Sequence, residues 1–285
     1  MSKNNLPNGR ILLAVSGGVD SMLLAHVFAT SNANIKVAHF NHNLRPDSSE
    51  DEELVADFAK QHNIEFVSEQ ANLKNNSEEE ARKARHAFLA RSASQNCKAS
   101  VATGHHLDDL AESVAINLSR GTGWRGLAVL NREGYVRPLL ELQKSEIIDL
   151  ARVFGIKWRE DSTNQSPKYL RNRLRQKVAA LPFDTKWQLL QLRDAQIKIT
   201  QEIETLLQEY HPFLQRRDFY NSTKTELFDI FTELLRYTLL RQNIRSTRPE
   251  LQRLLHAIQT YEPGKKFQLA SKKFILVRKN DFILL

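Results

Sequence analysis

The sequence predicts an α/β protein: a parallel-sheet domain, a long connector helix, and a smaller C-terminal domain of helices and a little sheet. Three observations carry this. Short apolar runs alternate with helical stretches over residues 10–154. Polar, glycine- or histidine-containing loops follow three of those runs, at 16–21, 39–46 and 103–109. Beyond residue 184 the alternation gives way to one long amphipathic segment.

The runs 10–15 (RILLAV), 35–40 (IKVAHF), 64–68 (IEFVS) and 99–103 (ASVAT) are too short and too apolar for surface helices and read as buried strands. Between them, 22–30, 49–61, 77–94 and 107–118 have helical spacing. Strands alternating with such helices make right-handed βαβ units on a parallel sheet, whose ligands gather outside the carboxyl ends of the strands. SGGVDS, HFNHNLRP and TGHHLDD all fall at that edge. A fifth strand is expected at 135–139 and a helix at 144–154. The segment 184–210 repeats apolar residues at Leu189, Leu192, Ile199, Ile203 and Leu206, as a long amphipathic helix does. Two helices follow, near 224–242 and 248–261, and the alternating tail KKFQLASKKFILVRKNDFILL reads as a small meander. The expected domains are therefore 1–184, a connector over 185–210, and 211–285.

The 285 residues carry 41 basic and 33 acidic side chains, a net charge of +8. The excess is uneven: residues 1–185 hold 24 basic and 22 acidic residues, and residues 186–285 hold 17 and 11. A basic C-terminal third fits a polyanionic partner such as nucleic acid, or simply a solvated basic surface. One cysteine, Cys97, excludes an intramolecular disulfide and a cysteine-based zinc site, and reads as an inert thiol. The N-terminal MSKNNLPNGR has no apolar core of a signal peptide, and no apolar run reaches the roughly 18 residues of a membrane span. A cytoplasmic protein without a membrane partner is expected.

SGGVDS sits between the first strand and the helix after it. Glycines let the backbone approach an anion, and the amides and dipole of a helix N-terminus favour phosphate there. Ser16 and Ser21 can add hydroxyl donors around Gly17, Gly18 and Val19. The loop has neither the lysine nor the spacing of GxxxxGK[ST], so it is not a Walker-type site. A tight turn with a capping serine is the plain alternative. Asp20 has two roles open to it, ligand of Mg²⁺ or cap of the helix.

The loop resembles the pyrophosphate loop, SGGxDS, of the N-type ATP pyrophosphatases, which cleave ATP between the α- and β-phosphates and attach AMP to an acceptor oxygen. Four further blocks, HFNHNLRPDSSEDE (39–52), ATGHHLDDLAES (102–113), RGTGWRGLAVL (120–130) and RPLLELQKSEI (137–147), stand in order with EDSTNQSPKYLRNRLR (160–175). Together they resemble the tRNA(Ile)-lysidine synthetase family. That resemblance implies a PP-loop, Rossmann-like domain and a ligase joining the ε-amine of L-lysine to C2 of the wobble cytidine of a tRNA(Ile) with a CAU anticodon. ATP is then a substrate, with Mg²⁺. Within 107–113, Asp109 and Glu112 are three apart on one helical face while Asp108 points elsewhere. The resemblance makes Asp109 and Glu112 the lysine-recognising carboxylates; an acidic first turn complementing the helix dipole is the bland alternative.

By the same resemblance His39, Asn41, Gly104 and His105 line the nucleotide, with His106 beside it. Arg82 and Arg85 either face ATP or join a surface network with Glu78, Glu79 and Glu80. Residues 152–177 hold eight basic and two acidic residues, with Trp158 and Tyr169 interleaved. Arg171 and Arg175 share a helical face and are candidates for catalysis; with Arg173, Lys177 and Arg125 they are candidates for tRNA phosphates. Basic residues of the C-terminal domain, among them Arg236, Arg248 and Lys272, would grip other parts of the tRNA. The chain resembles the short form of the family, which is compatible with a homodimer. Three rivals stand beside this: a tRNA thiolase of the same superfamily, which would want paired cysteines, an amide-forming synthetase acting on a small metabolite, which the long connector and the basic C-terminal domain disfavour, and an ATP-binding RNA-binding protein without chemistry, which would not need Asp20, Asp109 and Glu112.

Overall fold

The computed structural model describes residues 9–31, 33–43, 48–71, 78–95, 99–160, 170–209, 214–221 and 227–285, with the backbone alone at 78, 79 and 170–173. The chain divides into two compact units, Met1–Ile197 and Lys198–Leu285.

In the first unit, strands β1 (Ile11–Ala14), β2 (Ile35–Asn41), β3 (Glu65–Gln70), β4 (Ser100–Thr103) and β5 (Tyr135–Val136) form one parallel sheet in the order β3-β2-β1-β4-β5. The order reverses between β1 and β4, which opens a crevice at their carboxyl ends. Alternation sorts the β1 side chains. Ile11 and Leu13 pack with helices α1 (Val19–Ala29), α2 (Ser48–Gln61) and α5 (Lys144–Val153), through Met22, Leu24, Val55, Phe58, Ile147 and Ala151. Leu12 faces the other way, with Ala38, Phe40 and the Phe88 and Leu89 side chains of α3 (Glu78–Gln95). Both faces of the sheet are therefore covered, as a parallel sheet requires.

Helix α4 (Leu107–Ser119) follows β4 and packs Leu107, Leu110 and Val114 against Val129 and against Leu190 of α7 (Phe183–Glu209). A short 3₁₀ turn, Trp124–Leu127, and helix α6 (Leu170–Ala179) complete the elements around it. Among the predicted boundaries that shift, two have a local cause. The first helix begins at Val19 rather than 22, because Gly18 is extended and acts as its N-cap. The fifth strand stops at Val136, since Pro138 has no N–H to continue the ladder.

In the second unit, α8 (Phe228–Leu240) and α9 (Arg248–Thr260) pack over an antiparallel sheet of β6 (Lys266–Gln268), β7 (Phe274–Val277) and β8 (Phe282–Leu284), the expected meander. Tyr220, Phe231, Leu235, Leu255, Ile275 and Phe282 form its core. The Tyr220 hydroxyl, fully buried, donates to the Leu214 carbonyl at 2.9 Å, so burial of this aromatic leaves no polar atom stranded.

Candidate active site

The loop from β1 to α1 turns at a glycine and leads into a helix N-terminus. Gly17 takes φ +88°, a left-handed conformation that L side chains resist. The first helical bond of α1 runs from Met22 N–H to the Gly18 carbonyl at 3.0 Å, so the amides of Val19, Asp20 and Ser21 precede it. Ser21 braces the turn instead of projecting from it: its Oγ donates to the Gly18 carbonyl at 2.9 Å and accepts from Ser16 N–H at 3.0 Å. Gly104, at the end of β4, is pressed against the same helix start. A Cβ there would lie 2.9 Å from the Asp20 carbonyl carbon and 3.0 Å from Ser21 N.

Residues far along the chain grip this loop. Lys144 Nζ, from the first turn of α5, donates to Asp20 Oδ1 at 2.6 Å. Arg159 N–H donates to the Gly17 carbonyl at 3.0 Å, while its guanidinium pairs with Asp51, at 2.8 Å, and with Glu50. His39 is buried and its Nδ1 donates to the Val15 carbonyl at 2.9 Å, which leaves Nε2 as a buried acceptor without a hydrogen-bond partner among the described residues. Burial pushes the His39 pKa down, against the Val15 hydrogen bond and the charges of Glu52 and Asp51, so the ring is neutral. Asn41 is engaged within the chain: its Nδ2 donates to the Ser48 carbonyl and Glu52, and its Oδ1 accepts from Asn43 N–H.

The start of α4 lies beside the loop. His106, extended and buried, precedes the helix, and its backbone N–H donates to Asp109 Oδ2 at 3.1 Å. Its Nε2 stands 3.3 Å from Asp109 Oδ2 and 3.8 Å from Asp20 Oδ1, and its Nδ1 is 3.7 Å from Asp108 Oδ2, too far for a hydrogen bond. Burial opposes a charge on this ring, but the carboxylates of Asp108, Asp109 and Asp20 outweigh it and raise the pKa. His105 instead contacts Thr103 Oγ1 through Nδ1 at 2.8 Å.

The three acids of α4 have separate partners. Asp108 points away from the loop: it accepts from Lys186 Nζ at 2.7 Å and from Lys144 N–H at 2.9 Å. Although burial works the other way, His106, Lys186 and the Lys144 amide hold its carboxyl well below the usual range. Glu112 is 2% exposed and pairs with Arg175 Nε of α6 at 3.1 Å. Asp109 is left on the side of the loop and His106.

Among the other sequence candidates, Lys177 is exposed and Arg125 stacks over Trp124, 4.4 Å from the ring centroid. Arg82 and Arg85 act electrostatically on His86, together with Arg132 and Arg137. The side chains of Arg171, Arg173, Glu78 and Glu79 lie outside the described residues, as do Cys97, Tyr169, the loop 161–168 and residues 44–47. Lys144, Arg159 and Lys186 carry no role in the sequence reading. RPLLELQKSEI drew attention to Lys144 only as part of a block, and nothing local marks Lys186, on an amphipathic helix, as buried at 3%.

No group of three or more His, Cys, Asp and Glu side chains among the described residues could enclose a metal. A magnesium ion that keeps its waters and binds phosphate oxygens needs only one or two protein carboxylates, and Asp20 at the loop is of that kind.

A sheet that switches direction at a glycine turn capped by a helix N-terminus defines a phosphate-binding α/β domain of the doubly wound class. Residues 1–181 match the family model described as the PP-loop domain, and the chain belongs to that family. It is similar to the curated tRNA(Ile)-lysidine synthase of Thermotoga sp. (strain RQ2), 36% identical over 184 residues, 60% of this chain and 44% of the relative. The tRNA(Ile)-lysidine synthase of Thermus thermophilus is 39% identical over 177 residues, 59% of this chain and 35% of the relative. That of Thermotoga maritima is 29% identical over 284 residues, 93% of this chain and 67% of the relative. The chain thus spans less than half the length of the first two. Among solved structures, the U34-tRNA thiolase of Methanococcus maripaludis shares the fold, with a TM-score of 0.53 and 18% identity, covering 70% of this chain and 75% of that one. Among the described residues no helix is long and apolar enough to cross a membrane.

Proposed function

We propose that this chain uses ATP to join the ε-amine of L-lysine to C2 of the wobble cytidine of a tRNA(Ile) bearing a CAU anticodon, releasing AMP and pyrophosphate. One observation carries the proposal. His106 places the carboxylate of the phosphate loop, Asp20, and a carboxylate able to hold an amine, Asp109, within 3.8 and 3.3 Å of a single ring nitrogen. This proximity supports an anion site and a cation site that adjoin, as adenylation followed by amine attack demands.

Cytosine C2 is a urea-like carbonyl and a weak electrophile. Attack of its O2 on the α-phosphate of ATP expels pyrophosphate and turns that oxygen into part of a good leaving group. The amides of Val19, Asp20 and Ser21 at the helix N-terminus would hold the phosphates, with Lys144 adding a cation. The neutral ring of His39 would offer Nε2 as an acceptor to the nucleobase of ATP. A magnesium ion at Asp20 would neutralise phosphate charge when bound. Asp109 and Glu112 would orient the ammonium of lysine, and a carboxylate would take the proton that the amine loses. The neutral amine then attacks C2, the C2–O2 bond breaks, and AMP departs with the cytidine oxygen. Arg175 and the basic face of α6, together with the second unit, would hold the RNA.

The test is direct. Incubated with ATP, labelled lysine and tRNA transcripts, the protein should incorporate label only into the isoleucine transcript with a CAU anticodon, with AMP and pyrophosphate in equal amounts. Active, ATP-binding protein that labels no transcript would remove this function.

A further inference from the structure

At the outer edge of the sheet, β5 and α3 assemble a cluster of guanidiniums that the chemistry above does not use. Arg132 lies over the Tyr135 ring, 4.9 Å from its centroid, and Arg137 is 6.0 Å from the same centroid. The Tyr135 hydroxyl is 3.2 Å from Nδ1 of His86, on α3, and the two rings meet edge-on at 5.8 Å. Arg82 and Arg85, on the same helix, act electrostatically on His86. Arg137 is half-buried: Nη1 donates to the Tyr135 carbonyl at 3.4 Å, and Nε is buried without a hydrogen-bond partner among the described residues.

Among the described residues no carboxylate lies within ion-pair distance of Arg82, Arg132 or Arg137; Glu133 adjoins Arg132 in sequence, and the side chains of Glu78 and Glu79, one turn before Arg82, lie outside the described residues. The effect registers on two groups. Burial and then the charges of Arg132, Arg85, Arg82 and Arg137 push the His86 pKa down to about 4. Burial and the Arg193 guanidinium push Arg137 down to about 10. Like charges gathered against a protein wall repel one another, a cost that the contacts with Tyr135 offset only in part and that a bound anion would relieve. Forked guanidiniums match phosphate oxygens, and an aromatic ring between them suits a nucleotide.

We propose that the α3–β5 edge is a phosphodiester-binding site for RNA, in which Arg132 and Arg137, flanking Tyr135 and backed by Arg82, grip the backbone of the strand delivered to the SGGVDS loop. The site rests on the reading that RNA is the substrate, and its contacts are sequence-independent. Phosphates of ATP share the chemistry, and the two sources are separable.

The experiment uses the full chain and a synthetic RNA hairpin with a CAU loop. Arg132 is exposed, so Arg132→Gln removes a charge without opening the core. Binding followed by fluorescence anisotropy against salt should lose about one in the slope of log affinity with log salt, and weaken about three- to tenfold for CAU and non-CAU hairpins alike. The KM for ATP should not move. The nuclear magnetic resonance titration of His86 in wild-type protein should shift upward by about one pH unit or more with the hairpin and stay in place with ATP alone. An unchanged salt slope in Arg132→Gln, or a His86 shift produced by ATP alone, overturns the site. Lysidine formation is scored separately. A chain that makes lysidine with an Arg132-independent slope loses this site and keeps its function; one that makes none while the slope depends on Arg132 keeps the site and loses that function.

Discussion

Lys144 Nζ stands 2.6 Å from Asp20 Oδ1, so the first turns of α5 and α1 share an ion pair across 124 residues of chain. The pair brings a cation to a glycine loop, SGGVDS, that contains none. The two side chains are 40% and 29% exposed, which limits the pair's contribution to stability to under about 1 kcal/mol. The proposed role of Lys144 at the phosphates puts the expected effect on ligand binding. Lys144→Met should melt within a few degrees of wild type, yet raise the Kd and KM for ATP about tenfold, equivalent to about 1.4 kcal/mol. Calorimetric titration with ATP checks this, and an unchanged Kd would detach Lys144 from the phosphates.

Gly104 is needed for space. A Cβ at that position meets the backbone of Asp20 and Ser21 at 2.9–3.0 Å, and backbone cannot rotate away as a side-chain end can. Gly104→Ala should therefore push the start of α1 outward, costing about 1–3 kcal/mol and several degrees in Tm. ATP binding should weaken with it. A crystal structure of the variant with α1 in place and normal ATP affinity would contradict this account.

The buried cation is Lys186. It is 3% exposed, donates to Asp108 at 2.7 Å and to the Ala179 carbonyl at 3.2 Å, and so ties the end of α6 to the start of α4. Lys186→Met takes the paired cation from a carboxylate that is 15% exposed, leaving it the Lys144 amide, and should cost about 2–3 kcal/mol. Adding Asp108→Asn should recover part of that loss, a coupling of about 1 kcal/mol or more in a double-mutant cycle on thermal or urea unfolding. Additive losses would mean that the two act independently. Because Asp108 is held below its ordinary 3.8, it contributes stability above that pH, lost as the pH falls toward the depressed value. Asp108→Asn should accordingly flatten the acid limb of the stability profile.

The sheet was legible in the sequence because each strand is a short apolar run closed by a polar turn, and the loops at its carboxyl edge were legible because their residue types are unusual there. Tertiary facts were not. Lys144 meets Asp20 across 124 residues, Arg159 meets Asp51 across 108, and Lys186 meets Asp108 across 78, and no local pattern encodes such meetings. Nothing in the amphipathic pattern around Lys186 marks it as buried, since burial of one lysine depends on which carboxylate waits for it. Local chemistry also misled at two ends: an extended Gly18 advances the start of α1 to Val19, and Pro138 cuts β5 to two residues.

His106 supplies a pH signature. Its folded pKa lies above the ordinary 6.5, so the stability from its proton is complete below pH 6.5 and is lost as the pH rises through the folded value. Wild-type protein should melt progressively lower, relative to His106→Gln, as the pH is raised from 6.5 into the alkaline range. The comparison with the variant isolates His106 from His39 and His26, whose pKa values are lowered and whose dependence has the opposite sign. A constant difference between the two proteins across that range would show that the ring is neutral throughout.

Asp109 is a carboxylate whose charge can be removed without undoing the cap of α4. Its Oδ2 accepts the His106 backbone N–H at 3.1 Å, a contact that an asparagine oxygen can keep, so Asp109→Asn preserves the cap of α4 while removing one negative charge. If that charge holds the ammonium of lysine, the variant should raise the KM for lysine about tenfold or more, the scale of one charge-assisted hydrogen bond, and leave the Kd for ATP within about twofold. Adenylation of the cytidine, followed as pyrophosphate release in the absence of lysine, should persist. Glu112→Gln should behave differently in stability, because its carboxylate is 2% exposed and bound to Arg175, so its loss disturbs the α4–α6 contact as well as the proposed lysine site. Equal failure of ATP binding and lysine use in Asp109→Asn would place this carboxylate with the phosphates, on the Asp20 side of His106.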